Sequence, residues 1–282
     1  MFPHAPLLPC LITLAMPTSA AATVLTLPLV RGTQTIARAA TLLRAVAARP
    51  QQGWRLTDLA AHCSLDKGSA HRMLAGLVRE RMITQRAGDR HYLPGPLLFE
   101  LGLGVTHLGV FRARAMPALT RIARAAPGVA FLYLLSGEEF VCAARVGPST
   151  LKGLSIEVGT RRPLAVAAGG VALLLALPER EQRAVTAANL RQIASWGAER
   201  RRAVQTMLRR SRRAGYALNL ADVVTGIHSI AVPLRDAGGH SFAALSVSGA
   251  AETLPRVRLD ALAELLRREA QGLEQEGLAK AK

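Results

Sequence analysis

The chain has 282 residues, half of them hydrophobic, which is enough for a substantial core and for about two domains of ordinary size. Lys and Arg number 36 against 19 Asp and Glu, a net +17 that points to a polyanionic partner, although an arginine- and alanine-rich composition also follows from a GC-rich genome. The three cysteines, Cys10, Cys63 and Cys142, stand far apart with no CxxC and no Cys/His cluster at ligand spacing; this argues against a zinc site or a disulfide framework, fits a reducing cytoplasm, and leaves no cofactor or metal to expect.

In chain order, residues 1–32 come first, with the apolar run "LLPCLITLAM" followed by "PTSAAA". No Lys or Arg precedes the run, prolines at positions 3, 6, 9 and 17 interrupt it, and it falls well short of the roughly 20 residues of a membrane span. A disordered extension is expected there, with Met16 as a rival start, and no membrane partner. From Thr33 to residue 96, three helical patterns lead into a hairpin. Thr57 is placed to cap a short helix whose apolar side is Leu59, Ala60 and Cys63, ending near His62 or Cys63. After a turn at Ser64-Leu65, Asp66 is placed to cap a longer helix with the buried stripe Ala70, Met73, Leu74, Leu77 and Val78.

Left outward at the start of that helix are Lys67, Gly68, Ser69, His71 and Arg72. Small residues permit close approach, the cations and hydroxyl supply charge and hydrogen bonds, and backbone N–H groups point outward at the same end, as where a recognition helix enters a major groove. The following "MITQRAGDRHYLPG" reads as two short strands turning at Ala87-Gly88-Asp89, a wing with Arg86 and Arg90 at its tip. A solvated basic face on an ordinary helical subdomain explains the helical pattern equally well; the basic wing and the net charge favour DNA.

Residues 97–126 read as a linker helix region ended by Pro127-Gly128. Beyond it, "VAFLYLLSG", "EFVCAARV", "LKGLSIEVG", "SIAVPLRDAGG" and "HSFAALSVSGA" are expected strands. Helical segments separate or follow them: "AAGGVALLLALP", "EREQRAVTAANL", "GAERRRAVQTMLRRSRRAG" and "RLDALAELLRREAQGLEQEG". The mixture indicates an α+β domain over 127–276 with a short tail, 277–282. On the last expected strand, Ser246 and Ser248 project to one face with Ala244, and Leu245 and Val247 to the other. The two hydroxyls either meet a ligand or satisfy neighbouring backbone. Ala167-Ala168-Gly169-Gly170 either exposes amides at a helix start or allows close packing. The arginines of "ERRRAVQTMLRRSRRAG" fall around a stripe of Val204, Met207 and Leu208 and read as a solvated face in preference to a second nucleic-acid surface.

The stretch from Gln34 to Gly102 resembles the winged helix-turn-helix of the IclR family of transcriptional regulators. The resemblance rests on Ala39, Leu42, Leu59-Ala60, Leu65, Lys67, Ser69, His71-Arg72, Leu74, Tyr92-Leu93 and Gly95. Asp66 stands where the family often has proline, and Gly68 where it often has serine. The resemblance continues through "VGTRRPLAVAAGGVALLLALP", "RRAGYALNLADVVTGIHSIAVPL" and "GHSFAALSVSGA", and it implies a GAF-like effector domain, a curved sheet flanked by helices with a small-molecule pocket on one face. Carried over position by position, the pocket falls on Ala168, Gly169, Asn219, Ser229, Ser246 and Ser248. Asn219 replaces a frequent aspartate, Ser229 a frequent cysteine, Asp222 a frequent glutamate, and Gly128-Val129 the usual glutamate-threonine.

The expected protein is a homodimeric or homotetrameric regulator that reads a double-stranded DNA operator and answers to a small-molecule effector; Arg161 and Arg162 either suit a small or aromatic acid or are simply solvated. An enzyme using the second domain's cleft is the rival, and a sequence-indifferent basic protein a third reading. Against the enzyme, the chain shows no GxSxG elbow, no P-loop, no dinucleotide-binding glycine pattern and no evident carboxylate pair or Cys/His couple, so no catalytic residues are assigned.

Overall fold

The computed structural model describes residues 32–148 and 156–276, so the expected extension over residues 1–31 and the tail over 277–282 lie outside the described residues. The N-terminal part begins with α1 (Gln34–Ala47), α2 (Leu56–His62) and α3 (Lys67–Arg79). Ser64 makes the turn between α2 and α3 in the left-handed region at φ 53°. Leu42, Val46, Leu59, Leu74 and Ile83 form the centre of this core. Thr57 is not the cap of α2. The helix starts one residue before it, from extended Arg55, and the Thr57 hydroxyl faces its neighbour Asp58 instead. Asp66 does cap α3: its carboxylate accepts from the Ser69 amide at 2.8 Å. That hydrogen bond, above all, holds the Asp66 carboxyl below its ordinary range.

The wing is β1 (Ile83–Gln85) paired antiparallel with β2 (Tyr92–Pro94). Trp54 adds a bridge to Tyr92, with backbone bonds of 3.0 and 2.8 Å in the two directions, so the α1–α2 connection becomes part of the wing sheet. Gly53 must be glycine for this: at φ 69°, a Cβ would lie 2.9 Å from the Tyr92 carbonyl oxygen. The indole N–H of Trp54 donates to the Ala45 carbonyl at 2.8 Å, and Arg49 lies 3.7 Å over its ring.

The expected linker helix is two helices, α4 (Pro96–Leu103) and α5 (Thr106–Ala125), interrupted at Gly104-Val105. They differ in what they bury. No residue of α4 is buried, whereas α5 buries Phe111, Ala115, Ala118, Leu119 and Ile122 against the second domain's sheet. α5 thus packs with the second domain's sheet, and α4 does not. Arg121 of α5 is also pinned by two bonds to the Glu269 carboxylate, at 2.8 and 2.6 Å.

The remaining strands are β3 (Val129–Ser136), β4 (Glu139–Val146), β5 (Arg161–Pro163), β6 (Ala217–Leu220), β7 (Ile227–Arg235) and β8 (Ser241–Ala250). All pair antiparallel in the order β5-β4-β3-β8-β7-β6. Of the expected strand "LKGLSIEVG", residues 151–155 lie outside the described residues, and 156–159 belong to a turn that leads into β5, with Gly159 at φ 89°. The helices are α6 (Ala168–Leu175), α7 (Glu179–Gln192), α8 (Ala198–Ala214) and α9 (Leu259–Glu276).

Strand alternation divides the domain into two apolar layers. Ala130, Leu132, Ile230, Val232, Leu245 and Val247 meet α5 and α9 on one face. Val129, Phe131, Tyr133, Ala231 and Ala244 meet α6 and α8 on the other. α6 can press on the sheet because Ala167-Ala168-Gly169-Gly170 has almost no side chain there; a Cβ on Gly169 would overlap the Tyr133 ring, and one on Gly170 the Leu164 backbone. The result is the α+β architecture expected, a winged helix-turn-helix followed by a curled antiparallel sheet between helices. Among the described residues, no helix is long and apolar enough to cross a membrane.

Two outcomes test this packing. Leu119→Ala empties a fully buried site in α5 and costs about 2–5 kcal/mol in urea unfolding, whereas Val257→Ala, at an exposed position before α9, leaves that transition within about 0.5 kcal/mol. Asp66→Ala lowers the thermal midpoint of the N-terminal domain at neutral pH. Because the folded carboxyl value is depressed, the cap's contribution is present above the carboxylate's unfolded value and is lost as pH falls through the folded one. Melting curves of wild type and variant therefore converge in acid.

Candidate nucleic-acid interface and ligand cavity

At the start of α3, Lys67, Gly68, His71 and Arg72 are exposed and Ser69 is half-buried. The Asp66 cap occupies only the Ser69 amide. The Ser69 hydroxyl accepts from the Arg72 guanidinium at 3.1 Å, which orients the arginine along the helix's outer face before any partner arrives. Gly68 leaves the first turn without a side chain between Lys67 and Arg72. Cation, orienting hydroxyl and bare backbone thus share the end where the helix dipole is positive.

The wing cations behave differently from one another. Arg90 is exposed and turns the chain at φ 58°. Arg86 does not project freely from the tip as expected: it donates to both Asp89 oxygens, at 2.9 and 2.6 Å, and to the Gln51 and Gln52 carbonyls, at 3.3 and 3.2 Å. The physical reason is the tight turn, which brings Asp89 back over Arg86 and sets both against the α1–α2 connection. That pairing, chiefly, drives the Asp89 carboxyl far below its ordinary range. Arg86 is therefore a brace for the wing, while Arg90 carries its free charge.

The second site is a cavity of about 460 Å³ between the α6/α8 face of the sheet and the chain that connects β6 to β7. Every expected pocket position, Ala168, Gly169, Asn219, Ser229, Ser246 and Ser248, lines it. Register explains the convergence: Asn219 pairs with Ser229, and Ser229 with Ser248, so three strands place polar side chains in one row. Their roles then separate. Ser246 donates to the Ile230 carbonyl at 2.8 Å, which is the structural alternative left open for it. Asn219 is likewise spent on its own loop: its amide donates to Ile227 and its carbonyl oxygen accepts from Asp222 and Val223. The hydroxyls of Ser229 and Ser248, residues each more than nine-tenths buried, make no hydrogen bond to the described residues and open on the cavity.

Sequence reasoning missed several walls of this cavity. Tyr133 is 2 % exposed, stacks on Phe131 and meets Phe140 edge-on, and its hydroxyl has no partner among the described residues. Burial raises its pKa well above the ordinary value, so it stays a neutral donor. Alternation along "VAFLYLLS" was the available signal, since it puts Val129, Phe131 and Tyr133 on the face shared with Ser246 and Ser248. Trp196 and Arg200 at the mouth come from the turn before α8 and from its first turn, and no periodicity points to them. Arg161 and Arg162 divide: Arg161 is bound to Glu139 and Ser136, and Arg162 lines the cavity. Cys142 lies behind this wall, its thiol pushed up to about 12 by burial and therefore unreactive.

The chain matches the IclR helix-turn-helix domain over residues 35–87 and the bacterial transcriptional regulator IclR C-terminal domain over residues 104–275. It is 27 % identical to the glycerol operon regulatory protein of Streptomyces griseus over 79 % of this chain and 87 % of that one. With the HTH-type transcriptional regulator Rv1719 of Mycobacterium tuberculosis the identity is 30 %, over 72 % and 78 % of the two chains. The fold is that of an IclR homolog from Microbacterium hydrocarbonoxydans solved in complex with 4-hydroxybenzoate, at a TM-score of 0.64 and 22 % identity, covering 86 % of this chain and 98 % of that one. The second match begins at residue 104, where the helix breaks and α5 joins the sheet. With a capped recognition helix and wing at one end and a polar-floored cavity at the other, the chain belongs to the IclR family of DNA-binding transcriptional regulators.

Proposed function

We propose that the protein reads a DNA operator through Lys67, Gly68, Ser69, His71 and Arg72, with Arg90 on the flanking backbone and Arg86 holding the wing in place. The observation that carries this is the exposed first turn of α3, capped by Asp66 and left open on its outer face. Arg72 is the base reader, because Ser69 holds its planar fork in place; Lys67 is a phosphate contact. The excess charge of the chain adds salt-dependent attraction along the duplex.

The working unit is a homodimer built through α4. Phe99, Leu101 and Leu103 are 71, 56 and 62 % exposed, on a helix that buries nothing within its own chain. Val105, Leu108 and Ile36 add further exposed apolar surface. A second copy of the same helix would cover this surface and set two recognition helices at operator spacing.

The cavity takes a small acid with an apolar or aromatic body. Its head group meets the Ser229 and Ser248 hydroxyls and the amides at the start of α6, whose Ala167 supplies no side-chain cap. Effector binding changes operator affinity only through its unequal affinity for the DNA-competent and DNA-incompetent states, and DNA changes effector affinity by the same factor. The protein works in the cytoplasm as a regulator without catalytic activity, its hydroxyls serving recognition.

On an operator duplex, Arg72→Ala costs about 1–3 kcal/mol and narrows the gap between operator and scrambled DNA. Lys67→Ala weakens both duplexes alike and lowers the salt slope by about 1. Fluorescence anisotropy across a salt series separates the two, and equal loss on both duplexes for Arg72→Ala defeats its assignment as the base reader. Phe99→Glu with Leu103→Glu moves the protein to a smaller species in sedimentation velocity and removes tight operator binding while leaving the thermal melt of the C-terminal domain in place. An unchanged sedimentation coefficient defeats the α4 interface.

A further inference from the structure

The cavity wall holds two arginines, Arg162 and Arg200, and no Asp or Glu among its described lining residues. Both stand at the mouth with Trp196, whereas the floor, made by Tyr133, Ser229 and Ser248, is polar but uncharged. Arg162 is exposed, and no described acid pairs with it, in contrast to its neighbour Arg161. Arg200 gives one guanidinium nitrogen to the Val223 carbonyl and has no described acidic partner. Between floor and mouth the walls are Phe140, Val166, Val223, Val224 and Ile227.

A ligand with a single anionic head on the floor would use neither arginine. It would also leave much of a cavity of about 460 Å³ to water against apolar walls. We infer that the cavity is built for an elongated dianion with an apolar middle: one anionic group on the floor at Ser229 and Ser248, the second at the mouth between Arg162 and Arg200. This rests on the reading of the cavity as an effector site. Guanidinium groups suit a terminal carboxylate because their donors match its two oxygens, and the partial exposure of the mouth spares the second charge most of its desolvation cost. Arg162 and Arg200 are thus the residues that select the second group, and the floor selects the first.

The test uses the full-length protein and isothermal titration calorimetry with three probes: benzoate, 4-carbamoylbenzoate and terephthalate. The last two share shape and differ in one charge. The expected result is terephthalate binding at least about fivefold tighter than 4-carbamoylbenzoate at low salt, with the gain shrinking as salt rises. Arg162→Gln and Arg200→Gln each reduce that gain, and the exposed Arg162 position secures the test if Arg200→Gln disturbs the fold. Ser248→Ala weakens all three probes together. Equal binding of terephthalate and 4-carbamoylbenzoate, with both still weakened by Ser248→Ala, overturns the dianion and leaves the acid effector standing. A gain that survives both glutamine variants overturns the role of the two arginines. Binding of none of the probes overturns the dianion and the acid effector together.

Discussion

The alternation along β8 is the constraint on which the C-terminal domain depends. This strand lies between β3 and β7, and each of its faces has a separate task. Leu245 and Val247 point toward α5 and α9 and close the larger apolar layer. Ala244, Ser246 and Ser248 point the other way, where small side chains leave the sheet too thin to fill the space beneath α6 and α8. A slip of one residue would exchange the faces, burying two serines in the α5/α9 core and filling the cavity with Leu and Val. Pairing with β3 and β7 on both edges prevents the slip, so the cavity is as well determined as the core.

The two ends of the molecule prepare for their partners by the same means, committing some polar groups internally so that others stay free. Asp66 fixes the start of α3, Ser69 orients Arg72, and Asp89 holds Arg86 against the loop before α2. Around the cavity, Asn219 ties together the chain from Leu220 to Ile227, the Arg210–Asp222 ion pair anchors it to α8, and Arg200 reaches the Val223 carbonyl. Free hydroxyls and guanidinium groups therefore stand on frameworks already satisfied, and little ordering remains for binding to impose. Two contacts, Arg210 to the Asp222 carboxylate and Arg200 to the Val223 carbonyl, thus join α8 to the chain at the mouth of the cavity.

Periodicity made most of this legible. The helical stripe of α3, the alternation of β3, β4, β7 and β8, and the facing of Ser246 and Ser248 all stand where the pattern puts them, because each segment is long enough for its period to show. Short or edge features were not legible. β5 has three residues and β6 four, too few for alternation, and the turn at residues 156–159 alternates Ile156 and Val158 with polar Glu157 as a strand would. The break between α4 and α5 was hidden because Gly104 and Val105 sit in an unbroken apolar pattern, and only their packing, exposed before and buried after, reveals two helices. For the sites, alternation placed Ser246 and Ser248, the hairpin pattern placed Arg86, and the family resemblance implied Asn219 and Ser229, but none of these could tell which were already spent on internal hydrogen bonds. That depends on partners distant in sequence, such as the Ile230 carbonyl for Ser246 and the Gln51 and Gln52 carbonyls for Arg86.

The contact between Gly169 and Tyr133 has a consequence for how such a cavity changes over generations. The ring lies where a side chain at 169 would begin, so the two positions cannot vary independently. A mutation that adds even a methyl group at 169 first is rejected by the ring. One that first shortens residue 133 removes the overlap and enlarges the floor, at the cost of a packing defect beside Phe131 and Phe140, and only then makes a larger residue at 169 admissible. Ligand preference at the floor can drift in that order alone, whereas Arg162 at the mouth, which touches no such neighbour, is free to change in a single step.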